Sequence, residues 1–378
     1  MDPHGPIAQR FPLVARFRPA CPPLPQRVRA LTDLADTAVK KTDQGLASAV
    51  YNQAALIASD LGLPDLAREM CHQHAAAYLH ACPLPGMSAI RGLEPVVNLA
   101  RLQIRAGHGD DGRQRLLDLY AAVGAGAGAE FEGVTVPADL TATAESRQEV
   151  RAWLWRVLLA DGTRTLTAAG RWAEALTHIE AHRGVGKRML DGRQVAVLAA
   201  LVEGDTAQAS ALLAATMPGD SWEQAVTTSL SVLCRRDAGQ PFDGHLADLV
   251  TTYFERKSAP GMTVFDTRLG LTILDAIGSA EAPAAHRIVD DLHRRTTDAQ
   301  DGYAARENLA RPLLTAIATA RQVQDYHALV RACALGAGTI PEELQGKLTA
   351  ALRASDRVIR RSLGHPSELG RTTTTERV

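Results

Sequence analysis

The chain of 378 residues has few aromatic residues, no excess of charge of either sign and no long hydrophobic run. Phe, Trp and Tyr make up only 4% of the residues, whereas 46% are hydrophobic and these are mostly Ala, Leu and Val. Segments rich in Ala and Leu favour helices and allow them to approach one another closely. The composition therefore predicts an all-α protein with ample material for a core.

The charge is balanced, with 41 basic and 42 acidic residues and a net charge of −1. Such a chain has no global electrostatic attraction for nucleic acid or anionic lipid. No window approaches the roughly 18 uninterrupted apolar residues of a membrane-spanning helix. The first residues also lack the charged and apolar regions of a signal peptide. Neither a nucleic acid nor a membrane is therefore an expected partner.

The cysteines are few and scattered, with no Cys-x-x-Cys spacing. This distribution argues against a disulfide framework or a zinc site and fits a reducing cytoplasm. The segment Gly184–Lys187 lacks the spacing and the following Ser or Thr of a phosphate loop, so no cofactor is expected. The five cysteines, expected to be buried or inert thiols, are Cys21, Cys71, Cys82, Cys234 and Cys333.

Proline is concentrated at the start of the chain, with seven prolines in residues 1–25. Such a segment cannot continue a helix. We expect an extended N-terminal arm over residues 1–25 that lies over the first helical hairpin. Helices are predicted from about residue 26.

From residue 26 onward the apolar residues recur mostly at helical spacing, interrupted by glycines. The stretch Ala168–Leu176 reads as the end of one helix, a turn at Gly170, and a second helix with Trp172 and Ala175 on its inner face. Similar breaks fall at Gly62, Gly107 and Gly204. The pattern predicts a series of helical hairpins.

The hairpins resemble those of the tetratricopeptide (TPR) family. Gly62 precedes Ala67 by five residues, and the pairs Gly170 with Ala175 and Gly204 with Ala209 repeat this spacing; Gly112 holds the Ala position after Gly107. The two turns at Gly170 and Gly204 are 34 residues apart, which is the TPR period.

The resemblance implies a right-handed α-solenoid of TPR-like hairpins with inserted loops, in which the first helix of each hairpin lines a concave face. The chain also resembles actinobacterial helical-repeat proteins of poorly defined function, which are similar to the sensor halves of some regulators. That resemblance implies a partner-binding or ligand-sensing accessory role.

After the N-terminal arm, the sequence predicts three further segments along the chain. TPR-like repeats are expected over residues 26–239, with a flexible loop inserted at about 124–145, where three glycines fall within five residues. A break at Gln240–Gly244 precedes C-terminal helical repeats over residues 240–361. The remainder, residues 362–378, is expected to be a disordered tail.

Aligning the hairpins on their turn glycines places several polar residues at similar depths on the first helices. Asn and Asp are poor residues for a helix interior, so their presence favours a ligand or peptide groove. The alternative is an ordinary solvated or internally salt-bridged face. The candidate groove residues, including Arg268 on a later helix, are Asn52, Asn98, Arg101, Arg105, Asp161, Arg164, Asp191, Gln194 and Arg268.

Three functions remain open at this point. The first is a cytoplasmic interaction or ligand-sensing protein that binds a protein segment, a peptide or a small molecule in that groove. The second is an enzyme of specialised metabolism in which Asp161, His178 or His182, and Asp191 act as acid–base groups. The third, nucleic-acid binding through Arg-rich helices, is disfavoured by the balanced charge. His178 and His182 lack an evident third ligand, so no metal site is expected.

Overall fold

A computed structural model describes residues 1–257 and 259–364 of the chain, and it confirms the all-α fold class. A short 3-10 helix (Ala8–Arg10), a π-helical turn (Leu158–Gly162) and one small hairpin of β1 (Ala129–Phe131) and β2 (Val134–Val136) accompany the α-helices. The helices are α1 (Leu24–Lys41), α2 (Gln44–Asp60), α3 (Pro64–Leu79), α4 (Gly86–Arg105), α5 (Gly109–Ala125), α6 (Ala144–Val157), α7 (Thr163–Ala168), α8 (Trp172–Ala181), α9 (Asp191–Val202), α10 (Thr206–Ala214), α11 (Ser221–Asp237), α12 (Asp243–Glu255), α13 (Thr263–Ile277), α14 (Pro283–Asp298), α15 (Gly302–Leu309), α16 (Pro312–Ile317), α17 (Ala320–Ala332) and α18 (Glu342–Gly364).

The hairpin turns lie where the glycines predicted them. Gly62, Gly107, Gly170 and Gly204 all have positive φ angles, between 71° and 91°, which glycine adopts without steric cost. The small residues that follow three of these turns, Ala67, Ala175 and Ala209, are fully buried. The helices of each hairpin therefore cross closely, in a repeat-like arrangement.

The described residues form two compact units. Unit 1 comprises Met1–Arg27, Ala106–Arg113 and Trp155–Ala337, and unit 2 comprises Val28–Arg105, Gln114–Leu154 and the chain from Gly338 onward. Three of the five unit boundaries fall inside helices, namely in α1, α5 and α6. Each unit thus combines segments that are far apart in the sequence, whereas the predicted segments 26–239 and 240–361 were each continuous.

Unit 1 has the contact pattern of stacked hairpins. Each helix from α7 to α14 packs against the next one along the chain. In addition, α9 contacts α11, α11 contacts α13, and α13 contacts α15, so the first helices of successive hairpins form one layer. This layer of α9, α11, α13 and α15 is called the inner layer below.

In unit 2 the last helix returns to the beginning of the chain. α2 packs against α3 and α3 against α4, as expected for hairpins, but α18 packs against both α2 and α3. Its buried residues recur at helical spacing and include Leu348, Leu352 and Ile359. In a series of purely nearest-neighbour repeats this apolar stripe would pack against the preceding helix, so the packing of α18 against α2 and α3 departs from such a series.

The N-terminal arm belongs to unit 1. Ala8, Phe11 and Leu13 are at most 3% exposed and form part of the core of that unit. Burying Phe11 and Leu13 stabilises the docked arm by about 1.5–3 kcal/mol each. The arm is defined from here on as residues 1–23, because α1 begins at Leu24.

The predicted flexible loop at about 124–145 contains the β-hairpin, with Phe131 paired with Val134. Val134 and Val136 are buried while Thr135 between them is exposed, the alternation of a strand with one covered face. β2 packs against α3 in unit 2. The apolar face of the hairpin therefore orders this insertion. Of the predicted tail, residues 362–364 close α18, and residues 365–378 lie outside the described residues.

The packing of α18 gives a direct test of unit 2. Ile359 is fully buried, so Ile359→Ala should lower the free energy of unfolding by about 2–5 kcal/mol, through lost burial and the cavity left behind. Urea denaturation measures the change. Arg353→Ala, at an exposed position of the same helix, is the matched control and should change stability little. Equal effects of the two substitutions would contradict the packing of α18 in unit 2.

Candidate functional site

The candidate groove residues are divided between the two units. Asn52, Asn98, Arg101 and Arg105 belong to unit 2, and the members in unit 1 are Asp161, Arg164, Asp191, Gln194 and Arg268. Each group is described by itself.

In unit 2 the polar side chains of α2 and α4 bind one another. Asn52 Nδ2 donates a hydrogen bond to Glu94 Oε2 at 2.6 Å, and Asn98 Nδ2 donates to Asn52 Oδ1 at 3.0 Å. Arg101 Nη1 in turn donates to Asn98 Oδ1 at 3.0 Å. Arg105, one turn later, donates to Ser59 Oγ at 2.6 Å. In these contacts the polar side chains bond to one another within the protein, as in the internally bonded face that the sequence left as the alternative to a ligand groove.

A buried histidine extends this polar line into the core of unit 2. Ser48 Oγ lies 2.9 Å from His74 Nε2 and 3.3 Å from Glu94 Oε2. The His74 ring stacks on Tyr51, with 4.8 Å between centroids, and meets Tyr78 edge-on. Burial lowers the pKa of His74 to about 3 and raises the pKa of Glu94. The imidazole is therefore neutral at ordinary pH and serves the packing of α2 against α3.

In unit 1, Gln194 of the inner layer binds the backbone of the arm. Its side chain is fully buried, and its Oε1 accepts from the Leu13 amide at 2.7 Å. Its Nε2 donates to the Leu13 carbonyl at 2.7 Å and to the Met189 carbonyl at 3.2 Å. One amide group thus satisfies both backbone groups of a residue in an extended segment.

Charged contacts hold the arm on both sides of Leu13. Arg10 Nη1 donates to Asp275 Oδ2 on α13 at 2.5 Å, and Arg311 binds the other oxygen of the same buried carboxylate. Arg16 forms an ion pair with Asp191 at the start of α9. Asp191 therefore binds the chain's own arm.

The arm continues across the inner layer toward α15. The Arg18 amide donates to the Gly261 carbonyl at 2.9 Å, and the Cys21 amide donates to Asp301 at 3.2 Å, just before α15 begins. Along the chain, the arm thus contacts α13 through Arg10, α9 through Leu13 and Arg16, and the residue before α15 through Cys21. The Arg16 amide donates to the Val14 carbonyl at 2.9 Å, so the arm makes a tight turn between Leu13 and Arg16.

Arg268 and Arg164 have contrasting surroundings. Arg268 forms a bidentate ion pair with Glu307, with Nη2 to Oε1 at 2.6 Å and Nε to Oε2 at 3.1 Å. Arg164 is exposed, and among the described residues no hydrogen bond or ion pair ends on its guanidinium group. Desolvation by the surrounding chain and the positive charge of Arg268 lower its pKa, whereas Asp161 acts in the opposite direction.

The histidines proposed as acid–base groups have structural contacts. His178 Nε2 lies 3.1 Å from the Leu158 carbonyl of the π-helical turn, and burial lowers its pKa. A Cβ atom at Gly162 would stand 2.6 Å from this ring nitrogen, so glycine is needed for the approach. His182 Nδ1 lies 2.7 Å from the His178 carbonyl. With Asp191 bound to Arg16, these contacts provide local structure rather than an open acid–base pair.

The sequence pattern does not indicate the partners of the candidate residues. Glu94 and Asp275 lie in helices whose apolar pattern gives no reason to single them out. Arg16 and Arg18 are the one sequence signal for how the arm contacts the helices. Residues two apart in an extended segment point to the same side, so both arginines could face the same surface.

The pKa of His74 makes the stability of unit 2 dependent on pH. Unfolded His74 binds a proton near pH 6.5, whereas the folded residue does so only near pH 3. The free energy of unfolding should therefore fall as the pH decreases through this range, by up to about 1.4 kcal/mol per pH unit. Between about pH 7 and pH 5, the wild type should lose about 2 kcal/mol more than His74→Gln in urea denaturation. Because Glu94 titrates in both proteins, the difference isolates His74, and parallel losses would refute the assignment.

Within residues 1–257 and 259–364, no helix has the length and apolar character needed to cross a membrane. The same part of the chain holds no cluster of three or more His, Cys, Asp or Glu residues arranged to bind a metal ion. Comparisons with protein-family models, with curated proteins and with solved structures found no match to this chain.

Proposed function

We propose that this chain is a TPR-like helical-repeat protein that acts in the cytoplasm as an interaction or ligand-sensing protein. It binds an extended protein segment along the inner layer of unit 1. In this proposal the arm is the segment that occupies the groove when no partner is present. The scattered cysteines without a disulfide motif support the cytoplasmic location.

The observation that carries the proposal is the contact of Gln194 with both backbone groups of Leu13. A side-chain amide that pairs with an amide and a carbonyl of an extended chain recognises backbone and not side-chain identity, as in peptide recognition by main-chain hydrogen bonds. Another segment with a suitable apolar residue at the Leu13 position makes the same two bonds. The groove can therefore accept sequences other than the arm.

The charges around this contact support the same interpretation. Asp191 and Asp275 face Arg16 and Arg10 of the arm, one on each side of Leu13. A partner segment with basic residues at corresponding distances from an apolar residue meets both carboxylates. We therefore expect partners to contain a basic–apolar–basic pattern in an extended segment.

A cleavable arm tests the function. A protease site inserted between Pro22 and Pro23 allows the arm to be cut after the chain has folded. A fluorescent peptide with the sequence of residues 7–22 should then exchange into the cut protein, as measured by fluorescence anisotropy. Gln194→Ala should weaken this binding by at least about tenfold, because the buried amide and carbonyl of Leu13 lose their partners.

Gln208→Ala, at an exposed position of α10, is the matched control and should leave the affinity unchanged. Circular dichroism before and after cleavage establishes that the protein remains folded. If excess peptide never replaces the cut arm, or if the cut protein unfolds, the arm is a permanent part of the core and the proposed groove does not act as a binding site.

A further inference from the structure

The end of the arm packs into a small buried cluster of its own. Cys21 and Cys333 are both fully buried and form this cluster with Tyr303, apart from the main core of unit 1. Cys21 lies near the end of the arm, and Cys333 directly follows α17. The two cysteines are 312 residues apart in the sequence, so the cluster joins the arm to a distant part of the same unit.

The two cysteines are in direct contact. Cys333 Sγ lies 2.9 Å from the Cys21 carbonyl oxygen, which also accepts a hydrogen bond from the Gly302 amide at 2.9 Å. A Cβ atom at Gly302 would stand 2.7 Å from Cys333 Sγ, so this close packing needs glycine. A disulfide spans Cα atoms about 4.4–6.8 Å apart, so rotation of the two side chains about their Cα–Cβ bonds is enough to bring the sulfurs together.

The surroundings of this pair favour thiolate chemistry. Arg27 Nη1 lies 3.4 Å from Cys21 Sγ, and a neighbouring cation stabilises a thiolate. A hydrogen bond with Cys21 lowers the pKa of Cys333, although burial acts in the opposite direction. Burial instead raises the pKa of Cys71 to about 12 and that of Cys82 to about 11. Cys333 is therefore the more reactive thiol.

The end of the arm is otherwise held by hydrogen bonds. The Cys21 amide donates to Asp301 at 3.2 Å, and its carbonyl accepts from Gly302. Both bonds break when the arm is released, and release also uncovers Cys333 because Cys21 is part of the arm. A small oxidant then reaches both thiols. A covalent bond between them would survive the opening that breaks the hydrogen bonds.

We propose that Cys21 and Cys333 form a reversible disulfide that prevents release of the arm when the chain meets a hydroperoxide. One thiolate attacks the O–O bond of hydrogen peroxide and becomes a sulfenic acid, while hydroxide leaves and takes up a proton. The second thiol attacks the sulfenic sulfur and displaces water. Two electrons pass from the sulfurs to the peroxide, which becomes two molecules of water.

The disulfide makes the groove of unit 1 responsive to the redox state of its surroundings. The reduced chain exchanges its arm for a partner segment, and the oxidised chain keeps its arm in place. Disulfides that form in a reducing compartment are typically transient and redox-sensing. The control of exchange rests on the proposed function, whereas formation of the disulfide does not.

Peptide mapping of the intact chain tests the bond itself. The chain is treated with a small excess of hydrogen peroxide, denatured in an alkylating reagent and digested without reduction. Mass spectrometry should find the peptides that contain Cys21 and Cys333 joined, at least about tenfold more often than any other cysteine pair. Two of the five thiols should be lost, and dithiothreitol should restore them.

Cys333→Ser should abolish the cross-link, while its hydroxyl group can still donate to the Cys21 carbonyl. Cys234→Ser removes another buried thiol of unit 1 and is the matched control, which should cross-link as the wild type does. The wild-type map stands even if a variant fails to fold. Free thiols or sulfonic acids at Cys21 and Cys333 without a cross-link would overturn the proposal, and so would equal cross-linking of other pairs.

The protein with a protease site between Pro22 and Pro23 tests the effect on the arm. After oxidation and cutting, the arm should stay attached in denaturant until dithiothreitol is added. A fluorescent peptide of residues 7–22 carrying Cys21→Ser should bind the oxidised, cut protein at least about tenfold more weakly than the reduced one, because the attached arm has a high effective concentration at the groove.

The two proposals fail in different ways in this experiment. Equal peptide binding by the oxidised and reduced forms, with the cross-link present, would overturn the control of arm release. Absence of binding in both forms would contradict the proposed function, and the peptide map would then decide the disulfide by itself.

Discussion

The docking of the arm through Gln194 is the contact on which the organisation of unit 1 depends. A buried glutamine on α9 is costly unless all its polar atoms are paired, and here the Leu13 backbone and the Met189 carbonyl pair them. With the arm in place, Phe11 and Leu13 complete the core. Without it, Gln194 would be an unsatisfied amide at the centre of an apolar layer.

The same principle governs the other buried polar groups of unit 1. Asp275 accepts hydrogen bonds from Arg10 and Arg311, and Asp266 accepts from Arg256 at 2.9 Å. Removing one partner of such a pair leaves a buried charge, which costs far more than the pair contributes.

Local features of the sequence predicted the local structure well. Turn glycines such as Gly62 and Gly204 determine, through their backbone conformation, where the helical hairpins turn. Small residues such as Ala175 allow the two helices of a hairpin to pack closely. Both kinds of residue can be recognised within a short stretch of sequence. The all-α class follows from the same pattern. Gln194 was a candidate because the alignment of the hairpins on their turn glycines placed it at the same depth as the other polar residues of the first helices.

Long-range pairing could not be predicted in this way. The apolar stripe of α18 shows that the helix is covered but not that α2 and α3 cover it. Likewise, the prolines of the arm exclude a long helix without indicating which unit receives Phe11 and Leu13. Arg101 and Arg164 seemed equivalent by repeat position, yet they belong to different units because the chain between them passes from unit 2 to unit 1.

The central claim is that the arm is a ligand-like segment that opens separately from the helices beneath it. Hydrogen–deuterium exchange with mass spectrometry tests it most directly, by comparing peptides from residues 8–18 with peptides from α9. The account predicts that the arm amides, including Leu13, are protected but exchange clearly before those of α9, through local release. Exchange of the arm at unprotected rates would show that it is not docked. Exchange together with α9 would show that it leaves only when the unit unfolds, and either result would contradict the account.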